Sequence, residues 1–237
     1  VAVPAMQSKD PPLLSIARQG YLFAGAKYST AHDQQVMSGQ IYAEYQIPSK
    51  QTHRWPVVMI HGLGQSGTNF TGTSDGREGW AQYFLRQGYA VYVIDQPGRG
   101  RAAYQPDVYG QLAQPDIQNV LRRFVAPERF TLWPQARLHT QWPGSGAPGD
   151  PIFDQFMAET LPMIGDAKVM RAAAGRLLAC DAGANQALHA IFALAEEGDD
   201  AVGIKGIAVP LPARDGDEHV AHVLPLTAGL RRKAGTS

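Results

Sequence analysis

An α/β fold with parallel strand pairing is the architecture this 237-residue sequence predicts. Three stretches carry it: an apolar run ending in glycines at 55–67 (WPVVMIHGLGQSG), a helical stretch at 79–88 (GWAQYFLRQG), and a second apolar run at 90–95 (AVYVID). Val57, Val58, Met59 and Ile60 show no polar alternation, as expected of a strand buried on both faces. Trp80, Tyr83 and Phe84 fall at helical spacing, and Gly88 stands where a helix ends. Strand, helix and strand in that order make a right-handed crossover, so the two strands should lie parallel.

Taken from the start, residues 1–18 hold three prolines and a mixed pattern, which predicts an arm along the surface. GYLFAGAKYS from Gly20 and QIYAEYQIP from Gln40 are short, aromatic and partly alternating, and predict a leading antiparallel pair. After AVYVID, the turn Asp95-Gln96-Pro97-Gly98-Arg99-Gly100-Arg101 needs glycine for positive dihedrals. Asp95 there is expected to tie the loop down through backbone N–H groups, and Arg99 and Arg101 to be solvated. Residues 103 to about 165 lose the alternation of strand and helix. Seven prolines from Pro106 to Pro151, with Trp133 and Trp142, predict an irregular excursion above the sheet. Its aromatics either fill a small core of their own or, with His139, line a pocket under a cap.

The glycine loop admits two chemistries. His61-Gly62 leaving a strand, followed by the N–H of Leu63, suits an oxyanion loop, with His61 itself structural. Gly62, Gly64 and Gly67 also spell G-x-G-x-x-G, which would make the chain a nicotinamide-dinucleotide oxidoreductase. That reading needs a helix opening directly at Gly67 and an acid about 20 positions on. Instead TNFTGTSDGREG follows, and Asp95 comes too late. Thr68 stands where a phosphate loop needs lysine.

Size and composition bound the rest. At 44% hydrophobic residues, 1–237 can bury one core as a single domain. Twenty-one basic and 21 acidic residues cancel, so neither a nucleic-acid nor a membrane-surface partner is expected. Cys180 is the sole cysteine, excluding an internal disulfide and a cysteine-rich metal site. No cofactor or metal is expected, and no apolar run has the length of a membrane span. The chain starts at Val1. VAVPA suits a segment after signal cleavage, giving a periplasmic or secreted protein, whereas an expression fragment fits a cytoplasmic one equally well.

From Tyr42 the strings AEYQIP, RWPVVMIHG, TSDGREGW, YFLRQGYAVYVIDQPGRGRA and, more weakly, HTQWPGSGAPGDPIFDQFMAETLP resemble an atypical family of bacterial esterases of the α/β-hydrolase superfamily. The resemblance covers roughly residues 20–175. It implies an α/β-hydrolase-like fold, a mostly parallel sheet with flanking helices and a cap at 103–165. It also implies hydrolysis of a small-molecule ester by a serine, an acid and a late histidine, with His61-Gly62-Leu63 as the oxyanion loop.

The nucleophile does not carry over. Where the family has a Ser-His-Ser-Gln elbow, this chain has ACDAG, with Asp181 at the apex and no serine between Ser145 and Ser237. Asp181 fits three roles: a carboxylate nucleophile forming an ester intermediate, a relic in a non-catalytic binding protein, or an N-cap for the helix that follows. Ile204–Val209 predicts one further strand. The 28 residues from Pro210 contain Asp215, Asp217, Glu218, His219 and His222, so His219 is the candidate base, and a solvated loop is the plainer reading. The expected product is a weak or inactive esterase-like protein with a C-terminally incomplete fold, whose open sheet edge predicts self-association. Codons for Phe192–Glu196 read one base later can spell Ser-His-Ser-Gln. A frame-shifted tail is therefore expected if that frame continues into family-like sequence, which the nucleotide sequence decides.

Overall fold

The computed structural model describes residues 12–62, 64–164, 206–210 and 221–225. The first strand, β1 (Ile16–Ala24), begins inside the stretch read as an arm. It pairs antiparallel with β4 (Ile41–Pro48), Gly20 opposite Tyr45, as the aromatic alternation predicted. Between them stands a separate ribbon, β2 (Lys27–Ala31) and β3 (Gln34–Ser38). GYLFAGAKYS is therefore two strands, broken at Gly25 (φ 72°). The ribbon turns at His32 and Asp33, both with positive φ, the backbone twist that a two-residue hairpin favours.

The predicted crossover is present. β5 (Val57–Ile60) runs parallel to β6 (Val91–Asp95), Val57 opposite Val91, and α2 (Trp80–Arg86) connects them after the single turn α1 (Thr68–Thr71). Gln82 caps α2 by accepting the Gly79 N–H and donating to the Thr71 carbonyl. Gly88 (φ 85°) ends it: a Cβ there would sit 2.2 Å from Thr52 Oγ1.

The sheet is mixed rather than mostly parallel. Its order is β1-β4-β6-β5-β9-β10, where β9 is Gly206–Pro210 and β10 is Ala221–Pro225. Only β5 and β6 are parallel among the described pairs; β4 runs against β6, β9 against β5 and β10 against β9. The crossover fixes the β5–β6 pair alone. β4 adds on the far side of β6, so the direction of the leading strands was free to differ.

Alternation along β5 and β6 builds two cores. Val57, Met59, Val91 and Val93 face one way and pack with Phe70, Ala81 and Leu85 of α1 and α2. Val58 and Ile94 face the other way, with Ile41 and Ala43. Successive strand residues point to opposite faces, so burial on both sides accounts for the unbroken apolar runs.

Residues 106–164 form short turns of helix: α3 (Pro106–Tyr109), α4 (Ile117–Val120), a wide turn at Leu121–Val125, tight turns at Pro127–Arg129 and Pro134–Leu138, and α5 (Pro151–Ala158). The ribbon β7 (Leu112–Ala113) with β8 (Met163–Ile164) brings the two ends of the excursion together. It has its own core of Val120, Val125, Ala126 and Phe153, against which Trp142, Phe156 and Met157 pack. Asp150 caps α5 by accepting the N–H groups of Ile152 and Phe153. Hydrogen bonds from Ser145 first, then from the helix N–H groups, hold its carboxyl down at about 2.

Candidate active site

His61 ends β5 fully buried. Its Nδ1 lies 2.9 Å from the Gly62 carbonyl, and its Nε2 lies 3.1 Å from the backbone nitrogen of Gln96. A carbonyl can only accept and an amide N–H can only donate, so the proton sits on Nδ1 and the ring is neutral. Burial pushes the imidazole down to about 4; the Gly62 hydrogen bond opposes this, Arg99 adds to it and Asp95 opposes it. Gln96 Nε2 returns 2.8 Å to the His61 carbonyl. The imidazole thus couples the C-terminal ends of β5 and β6, the structural role expected of it.

Asp95 is the second centre, 1% exposed at the end of β6. One carboxylate oxygen accepts the Gly67 N–H at 2.6 Å, and the other accepts both the backbone N–H and Nε of Arg101, at 2.9 and 2.8 Å. Burial raises this carboxyl, and the three donors outweigh burial and hold it below its usual value. Asp95 therefore ties the loop down as read from the sequence. The two arginines depart from expectation. Arg99 is buried, which lowers its guanidinium from the usual value. Arg101 bridges Asp95 to Glu44 and lies 4.1 Å over the Tyr42 ring.

These contacts account for the glycines without a nucleotide. The Gly62 carbonyl also accepts the Gln65 N–H at 3.3 Å, and the Gly64 carbonyl accepts that of Leu161 at 2.8 Å. Gly67 spends its N–H on Asp95, and a Cβ there would meet Val93 Cγ1 at 2.6 Å. The helix that follows has four residues, too short to present the N-terminal dipole a pyrophosphate needs. The oxidoreductase alternative is left with a spelling and no geometry.

Beside this loop runs a groove of two adjoining clefts, about 440 and 200 Å³, sharing Gly72, Thr73 and Glu159. Ser66, Thr68, Thr71 and Gln155 line the larger, hydroxyl-rich end. Trp142, Pro143, Ile152 and Phe156 line the smaller end opposite Asp75 and Arg77. Ser74 Oγ donates to Glu159 Oε1 at 2.7 Å, and the Leu161–Gly64 bond fastens the excursion to the glycine loop. Asp75 is buried; burial raises its carboxyl, and hydrogen bonds from Arg77 and Thr73 win and lower it.

Of the three excursion aromatics proposed for a pocket, Trp142 borders the groove and also packs on the excursion's core. Trp133 and His139 line neither cleft, and His139 Nδ1 stands 3.4 Å from Glu128. Sequence reasoning missed Ser66, Thr68, Thr73 and Glu159 as groove residues; the only signal was the polarity of TSDGREG, which covers Thr73 alone. Leu63, Asp181 and His219 lie outside the described residues, as does the helix expected after Asp181. Among the described residues no cluster of His, Cys, Asp and Glu could hold a metal ion, and no helix is long and apolar enough to cross a membrane.

No family model matches the chain. It is 40% identical over 146 residues to "Probable secreted lipase phiG" of Fungal sp. (strain ATCC 74256), a match covering 62% of this chain and 37% of that protein. The chain thus spans well under half the length of this curated relative. A solved structure described as that of a novel bacterial esterase superposes with a TM-score of 0.52 at 23% identity, over 73% of this chain and 60% of the other. The structural likeness supports an α/β-hydrolase-like fold, and the sequence likeness to a lipase supports an esterase-like hydrolase relationship.

Proposed function

We propose that this chain binds small-molecule carboxylic esters at the groove beside residues 61–67, as an esterase-like protein whose turnover is weak or absent. The pinned Gly62 carbonyl carries the reading. His61 Nδ1 and the Gln65 N–H both hold it, so the loop leaving β5 is fixed on either side of residue 63. A donor fixed before the substrate arrives is what stabilisation of a developing oxyanion requires. The Leu63 N–H is the donor assigned to that role, and His61 is structural. Asp181 stands where the resemblance places a serine, with His219 as the base in reach of the sequence but in no family spacing. A carboxylate there, attacking the acyl carbon, would expel the alcohol and leave a mixed anhydride, which a histidine-activated water would hydrolyse to release the acid and restore the aspartate. The excursion 103–165 acts as the cap.

The test is hydrolysis of p-nitrophenyl acetate and butyrate, run beside labelling with a fluorophosphonate. The expected result is slow or undetectable release of p-nitrophenol, no covalent label, and loss of any residual turnover in Asp181→Asn. An acyl-ester analogue that binds without being consumed would identify a non-catalytic binding protein, which the absence of serine between Ser145 and Ser237 favours. Stoichiometric labelling of a serine would overturn the assignment of residue 181.

A further inference from the structure

We propose that the outer side of the excursion, residues 117–138, docks on an anionic lipid surface. The turns there wrap one side around a core, with Val120, Val125, Ala126 and Ala136 buried. The span also exposes five large apolar side chains, Ile117, Phe124, Leu132, Trp133 and Leu138, the last 70% accessible. Soluble surfaces scatter such residues singly, and here five fall within 22 positions. Arg122, Arg123, Arg129 and Arg137 are interleaved with them, all exposed.

Glu128 is the one acid in this span, and it is engaged by Arg129 at 3.5 Å and faces His139. Four arginines against one glutamate give the span +3 in a chain whose total is zero. The Arg122 guanidinium lies 5.5 Å over the Phe130 ring, which places a charge directly against an aromatic side chain of this span. Trp, Leu and Phe enter the boundary between headgroups and acyl chains, and guanidinium groups pair with the phosphates above it. A second copy is the poorer occupant, because a self-complementary interface would set arginine against arginine. Nothing in this depends on the ester reading, since docking is measured without turnover.

The experiment is co-sedimentation of the full chain with vesicles of phosphatidylcholine alone and of phosphatidylcholine mixed with phosphatidylglycerol. Pelleting is expected with the anionic vesicles only. It should weaken as salt rises from about 0.1 M to about 1 M, where the screening length falls from ~10 to ~3 Å. Each arginine near such a surface is worth roughly fivefold in partitioning, so Arg122→Gln with Arg123→Gln should lower it roughly 25-fold. Leu132→Ser with Leu138→Ser should lower it roughly tenfold. Both pairs are exposed, and unchanged far-UV circular dichroism would show that the fold is kept. As an independent readout, tryptophan emission should shift to the blue on anionic vesicles in the native chain and not in Trp133→Phe. Equal pelleting with uncharged vesicles, no pelleting with either, or pelleting untouched by both double substitutions would overturn the proposal.

Discussion

Replacing Asp95 by asparagine removes one charge and almost no volume, so it isolates what the carboxylate does. Three N–H donors converge on its two oxygens: the amide of Gly67, and the amide and Nε of Arg101. Asparagine offers one acceptor oxygen and turns an NH₂ toward the remaining donors. Either the glycine loop or the Arg101 turn then loses its partner in a site only 1% exposed. A hydrogen bond to a charged group contributes about 1.5–3 kcal/mol, and an orphaned buried donor costs about 1–3 kcal/mol. These overlap, giving a loss of roughly 2–4 kcal/mol. For a chain of this size that lowers Tm by about 4–16 °C. Glu44→Gln is the control: it removes the other partner of Arg101, at a half-exposed site where an ion pair contributes at most about 1 kcal/mol. Urea unfolding followed by tryptophan emission measures both. The direction of the Asp95 shift adds a second signature. A carboxyl held below its unfolded value stabilises the fold above about pH 3.9 and loses that contribution as pH falls through its folded value. Asp95→Asn should flatten this acid limb. Equal destabilisation by the two substitutions would refute the assignment of Asp95 as the clamp of the loop.

His61 makes the adjoining, mildly acidic stretch of the pH curve testable. Its imidazole falls from an ordinary 6.5 to about 4, so the unfolded chain binds the extra proton between those values. Stability is then complete above about pH 6.5 and lost as pH drops toward 4, by roughly 3 kcal/mol at ~1.36 kcal/mol per pH unit. Urea midpoints in this window should slope in the native chain and flatten in His61→Gln; an unchanged slope would show that another group titrates there. Gly79→Ala should cost about 2 kcal/mol or more. Its Cβ would lie 2.2 Å from the Phe70 carbonyl oxygen and 2.6 Å from the Gly72 nitrogen, both backbone atoms. Gly76→Ala meets open space and pays only for φ 83°, about 1–2 kcal/mol. Thermal melts showing the reverse order would remove the steric account of the 70–79 turn.

The elements legible in the sequence are those whose cause is local. VVMI and VYVI announce two-sided burial, and both form central strands with cores on each face. GWAQYFLRQG shows its periodicity and its terminal glycine within ten residues. Asp95 could be read as a loop tether because a short acid before PGRGR has backbone N–H groups at hand. What stayed hidden depends on distance in the chain. β4 pairs with β6 rather than β5, across more than 40 residues of sequence. Ser74 meets Glu159 85 positions away, so no window of sequence contains the groove. Arg99 looked solvated because charge usually is, yet the turn folds it inside. A net charge of zero concealed a span of +3 at 117–138, since the total over a chain does not say where its charges stand.

The same locality bears on catalysis. The glycine loop keeps its shape through His61, Asp95, Gln96 and Arg101, and each of these contacts joins the ends of β5 and β6 or braces the turn between strand and helix. Removing any of them costs folding free energy whether or not a substrate is ever turned over. A sequence can therefore keep His61-Gly62 and the QPGRGR turn intact under the demands of folding alone, with the chemistry at the next strand changed. The strings that resemble esterases can thus persist in a sequence that has aspartate at position 181. Such loop geometry reports a stable sheet edge; it carries no information on bond cleavage, which turnover in Asp181→Asn tests separately.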